Sequence, residues 1–141
     1  MSDFTITIDG KPIPARKGDT ILKAALRAGV FIPHYCWHPA LSVVASCRMC
    51  LVEVGERKPD GTVTMVPRVV PGCQTPVKDG TVVITNSARV KGGQEQTLEG
   101  LLLNHPLDCP VCDKAGECLL QDYTYGYGRA TSRMIDQKNT P

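Results

Sequence analysis

The chain has 141 residues, 42% hydrophobic and 21% charged, with 16 basic and 14 acidic side chains and a formal net charge of +2. That near balance, with no basic run, excludes a phosphate-tracking surface and with it nucleic acid as a partner. No apolar run approaches the roughly 18 residues needed to span a bilayer, so membrane association is expected only through partner subunits.

Met1, Ser2 and Asp3 lead directly into alternating residues, without a secretory signal or an Arg-rich transit peptide, so synthesis and use in the cytosol are expected. Phe4, Ile6 and Ile8 alternate with Thr5 and Thr7. Asp9-Gly10-Lys11 then offers a turn before Pro12 to Ala15, which predicts an N-terminal hairpin. Asp19 or Thr20 is placed to cap a helix whose Ile21, Leu22, Ala25 and Leu26 share one face, with Gly29 as its stop. The proline-rich stretch from Phe31 to Ala45 has no sustained period and reads as an ordered loop.

Leu51 to Val54 and Thr62 to Val70 read as strands joined by the polar tip Arg57 to Gly61. A last strand, Thr81 to Thr85, follows the turn Lys78-Asp79-Gly80. The order β-β-α-β-β-β gives a small mixed sheet cradling one helix. Ser87 is placed to cap a second helix over Ala88 to Leu103, which Gly92, Gly93 and Gly100 weaken by about 1 kcal/mol each relative to alanine. Tyr123, Tyr125 and Tyr127 alternate with Gly126 and Gly128, which suits either a partner-facing loop or ordinary packing. The segment after Gly128 has few apolar residues beyond Met134 and Ile135 and reads as a cut-off tail. The fold class is α+β, with expected modules at 1–86 and 87–128 and a truncated linker or tail at 129–141. The second module, about 40 residues long, is small enough to need a metal for stability.

Seven cysteines, an odd number, argue against a complete disulfide framework and for thiols used as metal ligands. With one histidine they sort into two four-ligand sets: Cys36, Cys47, Cys50 and Cys73, then His105, Cys109, Cys112 and Cys118. The first has three ligands in one loop and a fourth far off, the general arrangement of plant-type [2Fe-2S] ferredoxins, with ten residues where that pattern has four. Ala45, Ser46 and Gly72 are small enough to let backbone N–H groups approach bridging sulfides. A four-cysteine zinc site is the alternative, although zinc sites more often show two paired Cys-x-x-Cys arms. Cys36-Trp37-His38 imitates half of a Rieske arm, but Glu53 stands where the second arm needs histidine, so His34 and His38 read as structural.

In the second set an imidazole replaces one thiolate, which makes a cluster less negative by one charge; zinc held by three cysteines and a histidine is again the alternative. Cys109-Pro110-Val111-Cys112 also has the form of a dithiol redox motif, but no strand leads into it. No nucleophilic triad or phosphate-binding glycine loop is present, and no catalytic residue is expected.

Tyr35-Cys36-Trp37-His38-Pro39, Ser46-Cys47-Arg48-Met49-Cys50-Leu51-Val52-Glu53 and Gly72-Cys73-Gln74-Thr75-Pro76-Val77 resemble the N-terminal [2Fe-2S] domain of the large iron-sulfur subunit of respiratory complex I. Asn104-His105-Pro106-Leu107-Asp108-Cys109-Pro110-Val111-Cys112-Asp113, followed by Gly116-Glu117-Cys118-Leu119-Leu120-Gln121-Asp122, is similar to that family's [4Fe-4S] domain. The resemblance implies a β-grasp ferredoxin-like domain followed by a small helical cluster domain. In it Cys36, Cys47, Cys50 and Cys73 would hold [2Fe-2S], and His105, Cys109, Cys112 and Cys118 would hold [4Fe-4S].

It further implies an electron-carrying subunit of NADH:quinone oxidoreductase, relaying electrons from NADH through flavin toward quinone. Its partners would be the flavin- and NADH-binding subunit and other peripheral-arm iron-sulfur subunits, on the inner face of a bacterial plasma membrane. The same two domains open related subunits of NAD-linked hydrogenases and formate dehydrogenases, the first alternative; a zinc-stapled interaction module is the alternative of another class. Members of the family normally continue into a further Cys-x-x-Cys-x-x-Cys segment soon after the point where this chain stops, so a partial chain is expected.

Overall fold

The computed structural model describes residues 2–140; Met1 and Pro141, the outer ends of the expected first module and tail, lie outside the described residues. The chain divides into two compact units, with the break between Gly93 and Gln94.

In the first unit, β1 (Phe4–Ile8) and β2 (Lys11–Ala15) pair antiparallel with Ile8 opposite Lys11. Asp9 and Gly10 make the turn with φ of 49° and 81°, the doubly left-handed form whose twist matches that of paired strands. The Asp9 carboxylate accepts from the Thr85 N–H at 2.8 Å and from the Thr85 hydroxyl, tying the turn to the far end of the unit.

The helix α1 (Ile21–Arg27) is capped by Thr20, whose hydroxyl oxygen accepts from the Lys23 N–H at 3.4 Å, and it ends at Gly29 with φ of 79°. Asp19, the other candidate cap, is buried and takes a different partner. It receives both Arg27 guanidinium nitrogens at 2.7 and 2.8 Å and the Arg16 N–H at 2.9 Å. The Arg27 hydrogen bonds hold its carboxyl below the usual carboxylate range, against the opposing effect of burial.

β3 (Leu51–Arg57), β4 (Val63–Pro71) and β5 (Thr81–Ile84) complete a five-stranded sheet in the order β2-β1-β5-β3-β4. β1 and β5 run parallel and the other neighbours antiparallel. Ile6, Ile8, Ile13, Val52 and Val83 from the strands join Ile21, Leu22, Ala24 and Ala25 from α1 in one buried cluster. The expected mixed sheet around one helix is therefore present. β3, however, runs past the expected end at Val54 to Arg57. Glycine reads as a break in a strand, but Gly55 sits at a bulge where a Cβ would lie 2.7 Å from the Thr64 carbonyl oxygen and against the Met65 sulfur, so only glycine lets the two strands stay paired.

The second long helix, α2 (Ala88–Leu102), is capped by Ser87, which accepts from the Val90 N–H at 3.2 Å. Gly93, expected to weaken it, has a packing reason instead. A Cβ there would stand 2.8 Å from a methyl of Leu51, so the glycine seats the first half of α2 on β3. Arg89 reinforces the seat by donating to the Pro67 carbonyl at 2.9 Å.

The second unit holds the last turns of α2, a short 3-10 turn at Cys109–Val111, and α3 (Leu119–Tyr127). The tyrosine alternation falls on this helix rather than on a loop. Tyr123 and Tyr127, four residues apart on one face, meet edge to face at 5.9 Å, while Tyr125 points away and is exposed. From 128 to 140 there is no helix or strand, yet Arg129 pairs with Glu95 at 3.0 Å and Arg133 with Glu99 at 2.6 Å. Among the described residues no helix is long and apolar enough to cross a membrane.

Candidate metal centres

The first ligand set is assembled from three segments. Cys36 comes from the loop after α1, Cys47 and Cys50 from the approach to β3, and Cys73 from the turn between β4 and β5. The loop carrying the pair curls tightly because Ala45 and Arg48 adopt left-handed φ of 53° and 61°, conformations that cost a non-glycine residue of order 1–3 kcal/mol and persist where surrounding contacts demand them. The Cys73 turn is pinned from both sides. Gly72 N–H donates to the Cys50 carbonyl at 2.9 Å, and the Leu22 N–H of α1 donates to the Gly72 carbonyl at 2.9 Å.

A Cβ at Gly72 would stand 3.1 Å from the Cys50 carbonyl oxygen, so its smallness serves backbone contact. Cysteine sulfurs here accept from backbone N–H groups: Cys50 Sγ from Cys73 at 3.4 Å, Cys47 Sγ from Met49 at 3.5 Å, and Cys36 from Ser46 and Cys47.

None of the seven cysteines is in a disulfide; Cys50 and Cys73 are buried, Cys36 and Cys47 half-buried. The four thiols of this set act on one another. Burial raises Cys73 to about 12, with the Cys50 hydrogen bond and the nearby charges of Cys50, Cys36 and Cys47 adding to the rise. At Cys36 burial also pushes upward, but hydrogen bonds from Cys47 and Ser46 outweigh it and bring the thiol down to about 7. The charges of Cys36, Cys47 and Cys50 all bear on Cys73, and a cationic inorganic core held by these thiols would relieve that repulsion and release the protons.

These shifts predict the pH dependence of the metal-free chain. Cys36, lowered from 9.0 to about 7, contributes stability present above pH 9 and lost as pH falls through 7. Cys73, raised from 9.0 to about 12, contributes stability present below pH 9 and lost as pH rises through 12. Thermal unfolding under reducing conditions should therefore show a maximum from these thiols near pH 9, and Cys73→Ala should remove its alkaline side. An unaltered alkaline slope in that variant would contradict the assignment.

His34 and His38 are engaged locally, as expected of structural histidines. His34 Nδ1 donates to the Ile32 carbonyl at 2.7 Å and its ring meets Trp37 edge to face, while His38 Nδ1 accepts from the Ala40 N–H at 3.1 Å.

In the second unit His105, Cys109 and Cys118 line one cavity of about 330 Å³, together with Leu102, Leu120 and Gln121. Cys112, two residues beyond Pro110, closes the 3-10 turn by donating its N–H to the Cys109 carbonyl at 3.2 Å, but it is not among the residues lining the cavity. Cys118 caps α3, its sulfur accepting from the Gln121 N–H at 3.5 Å, so the positive end of that helix faces this sulfur. Three soft donors around a space far larger than one ion suit a polynuclear group. Among the described residues no three His, Cys, Asp or Glu side chains are gathered for a single metal ion.

Sequence reading passed over the cavity's other wall. Arg129, Ala130, Thr131, Ser132 and Lys138 from the tail line the same space.

Comparison with known proteins follows this division. The 2Fe-2S iron-sulfur cluster binding domain family matches residues 2–88, and the NADH-ubiquinone oxidoreductase-G iron-sulfur binding region, a 4Fe-4S type, matches residues 94–133. The G subunit of the NADH-quinone oxidoreductase of Rickettsia bellii is 42% identical over 135 residues, covering 96% of this chain and 18% of the relative. The mitochondrial NADH-ubiquinone oxidoreductase 78 kDa subunit of Candida albicans is 44% identical over 134 residues, covering 95% of this chain and 17% of the relative.

Among solved structures, a chain of NAD+-reducing [NiFe]-hydrogenase in the H2-reduced state superposes with a TM-score of 0.80 at 35% identity, covering 99% of this chain and 54% of that one. The chain thus spans less than a fifth of the length of the two oxidoreductase subunits from Rickettsia bellii and Candida albicans. Over residues 2–88 it belongs to the 2Fe-2S iron-sulfur cluster binding domain family, continued by an iron-sulfur binding region of the oxidoreductase-G type, and its cofactors are a [2Fe-2S] and a [4Fe-4S] cluster.

Proposed function

We propose that this chain is an electron-carrying segment of an NADH:quinone oxidoreductase, with Cys36, Cys47, Cys50 and Cys73 holding [2Fe-2S] and His105, Cys109, Cys112 and Cys118 holding [4Fe-4S]. The observation that carries the reading is the meeting of Cys73 with Cys50, 23 residues before it, through the Cys73 N–H on Cys50 Sγ at 3.4 Å with the charges of Cys36 and Cys47 also bearing on Cys73, in a chain whose two matched regions occur in the same order as the two ligand sets. The modules proposed are 1–86 and 87–128 with 129–141 a linker or tail, while the compact units divide between Gly93 and Gln94 and the second takes in the tail.

When bound, such clusters accept and pass on single electrons. The chain's own residues exclude water from Cys50 and Cys73, and they aim the N–H groups of Cys73, Met49 and Gln121 at sulfur, which moderates negative charge there. The half-buried Cys36 and Cys47 leave that side of the first site accessible to a neighbouring redox group. The partners would be a flavin- and NADH-binding subunit and further iron-sulfur subunits. The complex would lie on the inner face of a bacterial plasma membrane, attached through other subunits.

Anaerobic reconstitution followed by iron, acid-labile sulfide and EPR measurement tests this. Two distinct reducible cluster signals are expected; stoichiometric zinc without sulfide would establish the zinc-stapled module instead. The similarity to the [NiFe]-hydrogenase chain supports a second reading, a module of a soluble NAD-linked hydrogenase. Co-purification with hydrogenase subunits rather than quinone-reducing ones would favour it.

A further inference from the structure

Lys138 lies 33 residues beyond His105, in a tail without regular structure, yet its ammonium donates to the Leu102 carbonyl at 2.7 Å and to the His105 carbonyl at 3.0 Å. Leu102 is the last residue of α2. The carbonyls at a helix C-terminus have no partners within the helix and carry the negative end of its dipole, equivalent to about half an elementary charge. Here that end leads directly into the segment bearing the imidazole of the second ligand set. Lys138 also lines the cavity shared by His105, Cys109 and Cys118. The other charged residues on that wall are already matched: Glu99 with Arg133, and Arg129 with Glu95. Among the described residues no carboxylate pairs with Lys138, whose ammonium faces the two carbonyls instead.

We infer that Lys138 is a positioning and potential-setting residue for the histidine-ligated cluster: it fixes the His105 segment on the end of α2 and raises the cluster's reduction potential by offsetting the helix's negative end. This rests on the ligand assignment proposed above. Adding an electron makes the cluster more negative, so a nearby cation favours the reduced form and its loss favours the oxidised form.

The test is an EPR redox titration of the reconstituted 141-residue chain and three variants, with the first cluster as internal reference. Lys138→Gln keeps a hydrogen-bond donor without charge, Lys138→Met removes both, and Lys138→Arg keeps both. The Gln and Met variants should show about a tenfold lower reduced-to-oxidised ratio of the second cluster at fixed potential, about 59 mV for a one-electron couple. Arg should restore it, and the first cluster should not move.

An unchanged potential in Lys138→Gln would overturn the inference, even if Lys138→Met loses the cluster, because that pattern describes a purely structural contact. A wild-type chain with no acid-labile sulfide in the second unit would instead overturn the functional reading, and the inference with it, before any variant is compared.

Discussion

A chain carrying Cys73→Ala is expected to lose the iron and the EPR signal of the first cluster while keeping those of the second. Cys73 is the proposed ligand furthest in sequence from its partners, yet its place does not depend on its sulfur. The turn is held by the Gly72 N–H on the Cys50 carbonyl and by the Leu22 and Ile21 N–H groups on the Gly72 and Thr75 carbonyls. Alanine therefore leaves the backbone where it is and removes only the donor; serine would be a poorer test because its oxygen remains available as a ligand.

Changes to residues that merely orient a ligand cost roughly 10–100-fold in metal affinity, and loss of a ligand should exceed that. Full retention of a diiron signal with unaltered iron content would remove Cys73 from the set. Loss of both clusters would mean that the two units do not hold their metals independently.

The parts of this molecule legible in its sequence are those with local causes. The Asp9-Gly10 turn, the Thr20 and Ser87 caps and the Gly29 stop each follow from chemistry within a few residues of the feature they create. The two cluster cofactors were equally legible because a dense, odd-numbered set of thiols outside a disulfide framework has few other uses.

What sequence did not disclose is long-range or conformational. Gly55 and Gly93 look like defects until Thr64 and Leu51 are found beside them. Arg48 gives no sign that it adopts a left-handed backbone, a conformation that non-glycine residues rarely take. The tail reads as featureless because its partners Glu95, Glu99 and the end of α2 stand more than thirty residues away, and a pairing at that separation has no period to detect. Asp19 has the right chemistry for a cap, but a bidentate guanidinium eight residues on outcompetes the helix end for its carboxylate.

Leu22→Ala is expected to destabilise the first unit by about 2–5 kcal/mol, the range for deleting most of a fully buried leucine and leaving the cavity partly open. Leu22 is wholly buried in the cluster that joins α1 to the sheet. Against the roughly 5–15 kcal/mol that holds a typical domain, that is a large share, and denaturant unfolding of the metal-free chain should show a lower midpoint at unchanged slope. Leu22→Met, which conserves volume, should cost under about 1.5 kcal/mol.

The variant also separates two ways in which the fold serves its site. The Leu22 N–H is the donor that holds the Gly72 carbonyl, one residue from Cys73. If packing of the side chain is what keeps α1 close enough for that bond, Leu22→Ala should release iron from the first cluster to a chelator faster than wild type, with the second cluster unaffected. If the backbone bonds alone suffice, stability will fall while iron release stays at the wild-type rate, and the hydrophobic core and the metal site would then be coupled only through global unfolding.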